Sequence, residues 1–218
     1  RDLSGLRSAP EPWADKILGS IAATPIPIAL ALSALSREVL PPGQQRKTGA
    51  YYTDWRLAEI LAGASVPKVK ADGPWIDTAC GSGVLLAAAA MRLPAGRQRD
   101  AVIGDLLSGA DLSGSALRGA LLSVASLTSN LSAVRGFASR LLVQDSLRSG
   151  SAWDQLAPTG AALIIGNPPW EKLKVSRYEV AKSLGSTRAY GQSLDSEIDL
   201  AHERSSLLAY IEQVAAGT

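Results

Sequence analysis

Residues 74 to 91 constrain this chain more than any other stretch. A short apolar run, Pro74-Trp75-Ile76-Asp77, meets the turn Thr78-Ala79-Cys80-Gly81-Ser82-Gly83 and then Val84 to Met91, with four consecutive alanines. Strong helix formers directly after a glycine turn, directly after a strand, spell strand, turn, helix. Glycines at a helix start let backbone amides approach a ligand closely, and a nucleotide-like ligand suits such a turn. The same arrangement also serves as a plain tight turn in α/β folds, so alone it names no ligand. The position that would hold the third glycine of a dinucleotide-binding turn is Leu86, which disfavours NAD and FAD.

The rest of the chain fits an α/β fold. Leu106 to Leu112, Leu141 to Gln144 and Ala161 to Ile165 read as further strands, and Trp55 to Ala64 and Ala116 to Thr128 as helices. Either Thr53 or Asp54 is placed to cap the first of these helices. Short apolar strands alternating with helices predict a parallel sheet buried on both faces. Six of the twelve prolines lie in residues 1–45, so helix there is expected only in short pieces such as Ile28 to Leu40, in an arm packed on the core. Beyond Trp170 the chain is polar and reads as helical, best over Ser205 to Val214. The expected domains are the arm (1–45), a core (46–175) and a polar helical extension (176–218).

With 218 residues, 46% of them hydrophobic, there is material for one sizeable core. The formal charge of +2 neither marks nor excludes a nucleic-acid binder. One cysteine excludes a disulfide framework, and no apolar run approaches the length of a membrane span, which predicts a soluble, cytoplasmic protein without a membrane partner. The first residue is Arg1 and the one methionine is Met91, so a longer parent polypeptide is expected.

Three further positions carry chemistry. Asp111, at the end of the second strand, has a carboxylate that can accept from both hydroxyls of a ribose, or cap a helix. Asp145, after the third, is placed to reach an adenine amine, or to close a turn. Ile164-Ile165-Gly166-Asn167-Pro168-Pro169-Trp170 ends the fourth strand with an amide, two prolines that free backbone carbonyls from any ladder, and a flat aromatic. Such a set suits a planar base bearing an exocyclic amine.

Here the sequence resembles the DNA adenine-N6 methyltransferases that use S-adenosylmethionine. Asn167-Pro168-Pro169-Trp170 is similar to their catalytic tetrapeptide. Asp77-Thr78-Ala79-Cys80-Gly81-Ser82-Gly83 is similar to their cofactor loop, with Thr78 in place of a proline. Thr48-Gly49-Ala50-Tyr51-Tyr52-Thr53 is similar to the segment that closes over the methionine end of the cofactor, with Asp54 where a proline is usual. The order of elements over residues 48 to 170 is that of the family.

The resemblance implies a Rossmann-like S-adenosylmethionine-dependent methyltransferase fold with sheet order 3-2-1-4, its later strands missing after Trp170. It implies catalytic roles for Asn167, Pro168, Pro169 and Trp170. It implies cofactor binding by Thr48, Gly49, Tyr51, Tyr52, Thr53, Asp77, Ala79, Cys80, Gly81, Gly83, Asp111 and Asp145, with no metal. The implied partner is double-stranded DNA whose target adenine is flipped out and stacked on Trp170, with further domains or subunits reading the sequence, in a restriction-modification or phage-defence system. Arg46, Lys47, Lys172, Lys174 and Arg177 are candidates for phosphate contacts. The same tetrapeptide logic serves glutamine methyltransferases of release factors and some RNA base methyltransferases, and a non-catalytic scaffold is the other alternative. His202, Asp195, Glu197 and Asp199 read as a solvated face, and Cys80 lacks the partner of a nucleophile.

Overall fold

The computed structural model describes residues 11–37, 52–69, 72–146, 152–168 and 208–209. The chain divides into two units, one of residues 1–146 and 152–169 and the other of residues 147–151 and 170–218. Of the second, residues 208 and 209 are described and are helical. The expected helix over Ser205 to Val214 otherwise lies outside the described residues.

Four short strands make the sheet: β1 (Trp75–Asp77), β2 (Leu107–Asp111), β3 (Leu141–Val143) and β4 (Leu163–Ile164). All pairings are parallel and the order is β3-β2-β1-β4, as expected. Trp75 faces Leu107 on one side and Leu163 on the other, so β1 is central. The chain winds outward from β1 through β2 to β3 and then returns to β4. Their carboxyl ends therefore part between β1 and β4, the place where α/β sheets leave a crevice.

Alternation along β1 assigns the two faces. Trp75 packs into the main core, with Leu86, Leu107, Val124 and Phe137, while Ile76 points the other way into a smaller cluster with Ala110, Ala152 and Leu156. The first face is covered, but the second only in part, short of the expected burial on both faces: Ile164, beside Ile76, is 63% exposed and Val143 at the end of β3 is 66% exposed.

Helices α1 (Glu11–Ala22), α2 (Ile28–Leu35) and α3 (Trp55–Ser65) precede the sheet. Helix in the arm comes in short pieces, as expected: α1 runs for 12 residues with Pro12 in its first turn, where a missing N–H costs nothing, and α2 stops at Leu35, short of the expected Leu40. Asp54, not Thr53, caps α3, accepting from the Arg56 amide at 2.9 Å. Helix α4 (Val84–Met91) has the predicted limits and is buried from Val84 to Ala90, packed between α2, α3 and α6 (Gly114–Ala125). Ser113 caps α6 and Asn130 caps α7 (Leu131–Ser139). Helix α5 (Arg97–Ala101) runs on into a π-helical turn, Val102–Leu106, and α8 (Ala152–Leu156) covers part of the second face.

Two close approaches depend on glycine. A Cβ at Gly136 in α7 would lie 2.2 Å from the Gly104 carbonyl oxygen, so α7 and the π turn meet backbone to backbone. Arg140 then caps that turn, donating to the Ile103 and Leu107 carbonyls at 3.1 and 3.0 Å and also to Gly104. A Cβ at Gly119 in α6 would lie 2.5 Å from Ser36 Cβ. Together with the buried Ser123 hydroxyl, which donates to the Ala29 carbonyl at 2.7 Å, this seats α2 on α6 and makes it part of the core.

Candidate functional site

After β1 the chain turns sharply, and hydrogen bonds to the sheet hold the turn in place. Asp77 Oδ1 accepts from the Ala79 amide at 3.0 Å, the Cys80 amide donates to the Ala110 carbonyl at 2.9 Å, and Asp111 Oδ2 accepts from the Gly81 amide at 2.8 Å. Ser82 joins its hydroxyl to that of Ser33 at 3.0 Å in a fully enclosed contact. The two glycines differ in what they do. Both have left-handed backbones, φ +51° at Gly81 and +79° at Gly83. A Cβ at Gly83 would lie 2.8 Å from the Ala120 backbone, whereas at Gly81 it would meet nothing within 4 Å. Gly83 is required by packing and Gly81 leaves space open.

β4 brings the other wall. The Ile165 amide donates to the Ile76 carbonyl at 3.1 Å, extending the ladder one step and delivering Gly166 and Asn167 over the end of β1. A Cβ at Gly166 would stand 3.0 Å from Asp77 Oδ1, so the strand end passes directly across this carboxyl. Asn167 Nδ2 donates to Thr53 Oγ1 at 3.2 Å across 114 residues of sequence. The Thr53 carbonyl in turn accepts from Arg37 Nη2 at 2.7 Å, and the Arg37 guanidinium lies over the Tyr52 ring, 5.3 Å from its centre.

Between these two walls lies one small cleft. Of the positions expected from sequence, Tyr52, Thr53, Asp77, Ala79, Cys80, Gly81 and Asn167 border it, joined by Arg37, Ser82, Val84 and Leu85. Gly83 stands behind the wall against α6. Asp111 and Asp145 are outside this lining. Asp111 works as an anchor: its second oxygen accepts from the Ser113 amide at 2.9 Å, the capping role open to it from sequence, although each oxygen keeps a second lone pair. Asp145 follows β3, half-buried. Pro168 is exposed beside Asn167. Thr48, Gly49, Tyr51, Pro169, Trp170 and the cationic residues Arg46, Lys47, Lys172, Lys174 and Arg177 lie outside the described residues, as does His202.

Electrostatics separates the two buried acidic groups of the turn from ordinary ones. Burial pushes the Asp77 carboxyl up to about 7, with the charge of Asp111 adding to the rise and the Ala79 amide opposing it. Burial, with Asp77 and Asp111 nearby, drives the Cys80 thiol well above its ordinary range. A thiol held protonated is no nucleophile, so Cys80 is a packing residue against Gly109. Among the described residues no group of His, Cys, Asp and Glu is assembled to hold a metal, and no helix is long and apolar enough to cross a membrane.

Arg37 is the cleft residue that sequence reading missed. It follows α2 with no motif around it, and its role arises only when the segment after α2 meets Thr53. Ser82, Val84 and Leu85 also line the cleft without having been singled out, and the place of Ser82 between two glycines was a usable signal.

No family model matches the chain, and no curated protein does. Among solved structures it is similar to a chain of the cryo-EM structure of a DrdV–DNA complex, at 15% identity and a TM-score of 0.53. The similarity covers 95% of this chain and 24% of that one, so the chain spans about a quarter of its neighbour's length. What the likeness shows is the fold: a mixed α/β architecture around a four-stranded, all-parallel sheet of order 3-2-1-4.

Proposed function

We infer that the chain is the cofactor-binding and catalytic core of an S-adenosylmethionine-dependent DNA methyltransferase, with the methyltransferase variant of the Rossmann-like fold, acting on the N6 amine of a flipped adenine. One observation carries the reading: Asn167, from the tetrapeptide end of β4, and the glycine turn after β1 open onto the same cleft at the point where the sheet order reverses. The structural neighbour is a DNA complex, which supports DNA as the substrate class. Sequence recognition is assigned to further domains or subunits, in a restriction-modification or phage-defence setting.

The cleft suits the cofactor. Gly81 leaves room at the turn, Asp77 offers a buried carboxyl, and Arg37 borders the same cleft with a cation. Bound S-adenosylmethionine supplies a methyl group on a positively charged sulfur, which needs no metal to be displaced. The rest of the work falls to this chain. An adenine amine is a weak nucleophile because its lone pair is delocalised into the ring. The Asn167 amide oxygen and the Pro168 carbonyl accept its two hydrogens and return electron density to nitrogen, holding it in line with the sulfur. Thr53 decides which end of the Asn167 amide faces the base: with Nδ2 bound to the Thr53 hydroxyl, the oxygen occupies the opposite branch. Trp170 is assigned the platform on which the extruded base stacks, offsetting part of the few kcal/mol that unstacking costs.

The test is methyl transfer from labelled S-adenosylmethionine to double-stranded DNA by the intact protein, with the product nucleoside identified after digestion. Labelled N6-methyladenine that falls at least ~1000-fold in Asn167→Ala establishes the chemistry and the role of the amide together. Label in a glutamine-bearing release-factor peptide or in RNA, and none in DNA, redirects the reading to those substrates. Cofactor binding with transfer to none of them leaves a scaffold.

A further inference from the structure

The side-chain contact between the two walls of the cleft has a support behind it. Asn167 Nδ2 donates to the Thr53 hydroxyl at 3.2 Å, and the carbonyl of the same Thr53 accepts from Arg37 Nη2 at 2.7 Å. Thr53 is buried, so its carbonyl needs a donor within the fold, and Arg37 supplies one. The guanidinium also lies over the ring of Tyr52, 5.3 Å from its centre, and so holds two consecutive residues. On the far side of Thr53, Asp54 caps α3. Thr53 is thereby held from both chain directions. Branching at Cβ leaves a threonine few side-chain rotamers, so the position of its hydroxyl follows the position of its backbone.

Arg37 can serve as a fixed reference because the segment that carries it is anchored at three points. Ser33 of α2 joins Ser82 in an enclosed contact at 3.0 Å, and the Ala29 carbonyl accepts from Ser123 at 2.7 Å. Ser36, next in the chain to Arg37, stands where a Cβ on Gly119 would come within 2.5 Å. Ser33 thus ties this segment to the glycine turn, and Arg37 ties it to Thr53, so one piece of the arm touches both walls. We propose that Arg37 is a positioning residue for Asn167: by holding the Thr53 peptide it fixes the hydroxyl that sets the direction of the Asn167 amide. Resting on the function inferred above, this hold aims the Asn167 oxygen at the target amine, and Arg37 itself contacts no reacting atom. Arginine suits the task because one planar group donates at its edge and stacks by its face.

Methyl-transfer kinetics on double-stranded DNA test this in Arg37→Met, Arg37→Lys, Thr53→Val and the double variant Arg37→Met/Thr53→Val. Methionine keeps an aliphatic stem over Tyr52 and removes the donor. Arg37→Met is expected to lower kcat about three- to tenfold, the weight of one hydrogen bond, and Arg37→Lys to recover part of it. KM for DNA and the affinity for S-adenosylhomocysteine should stay within about twofold, and the double variant should be no slower than Thr53→Val, because both changes act on one amide. An unchanged kcat, a loss confined to KM or to S-adenosylhomocysteine affinity, or losses that multiply in the double variant overturn the proposal. Exchange of the Asn167 side-chain amide protons with water, read by NMR with the signals identified by their absence in Asn167→Asp, follows the same hold without turnover. If the wild type methylates no substrate, the methyltransferase reading fails, and this exchange decides the role of Arg37 separately: about three- to tenfold faster exchange in both Arg37→Met and Thr53→Val upholds it, and acceleration in Thr53→Val alone overturns it.

Discussion

The wall of the cleft that follows β1 is held by main-chain donors, three of them fixed by Asp77, Asp111 and the Ala110 carbonyl, whereas the wall formed by Thr53 and Asn167 meets through one side-chain hydrogen bond. The first is built into the sheet and persists whatever occupies the cleft. The second joins residues 114 positions apart through groups that rotate. A backbone-built wall sets the shape of a site, and a side-chain-built wall sets its chemistry. Substitutions should therefore divide, those in the first wall acting on stability and those in the second on turnover.

The largest effect is expected at Gly83. Its φ of +79° and the 2.8 Å approach of a Cβ to Ala120 make Gly83→Ala cost about 4 kcal/mol, read by chemical denaturation. A loss under about 1 kcal/mol would show that the turn yields and would erase the distinction between the walls.

Asp77 comes next, through pH. Its folded pKa of about 7 lies above the ordinary 3.8, so the folded state binds the proton more tightly. The associated stability is complete below about pH 4 and is lost as pH rises through about 7, a change of about 4 kcal/mol. Asp77→Asn keeps the acceptor for the Ala79 amide and removes the titration. Measured from pH 4 to 8, the stability of the wild type relative to this variant should fall by that amount. A constant difference would mean that Asp77 is already ionised in the fold.

Across the cleft, Thr53→Val should cost only about 1 kcal/mol of stability, since one hydrogen bond is lost. Turnover should fall about tenfold with little change in KM for DNA, because the Asn167 amide loses its orientation, and Thr53→Ser should restore it. A defect in KM alone would place Thr53 with ligand binding and not with the amide. Gly81→Ala should cost only the roughly 1–2 kcal/mol of a left-handed alanine in denaturation, because the added Cβ meets nothing. Its effect should appear in nucleoside titration instead, where the methyl group occupies ligand space.

Much of this arrangement is legible in the sequence. β1, α4 and the sheet order follow from short apolar runs and an alanine-rich helix whose signals are local. What escaped is what depends on contacts between distant segments. Thr53 and Asp54 are equally good caps on paper, and Asp54 takes the cap while the Thr53 hydroxyl serves Asn167. Residues 97–106 offer neither cap nor apolar period, and their helix and π turn are stabilised from outside by Arg140. Helix α7 was not read from the sequence, and its Gly136 is explained by a contact 32 residues away, the close approach of Gly104. Arg37 carries no local pattern at all.

Helix α4 has a consequence for how the molecule comes together. Its seven buried residues are covered by segments that come both earlier and later in the chain, α2 and α3 before it and α6 after it. During synthesis the helix has no complete shelter until residue 125 has left the ribosome, and until then its apolar surface is open to solvent and to other chains. Folding is accordingly a closing event late in synthesis, and a nascent chain whose emerged part ends between residues 91 and 114 should be a chaperone client while one whose emerged part runs well past 125 should not.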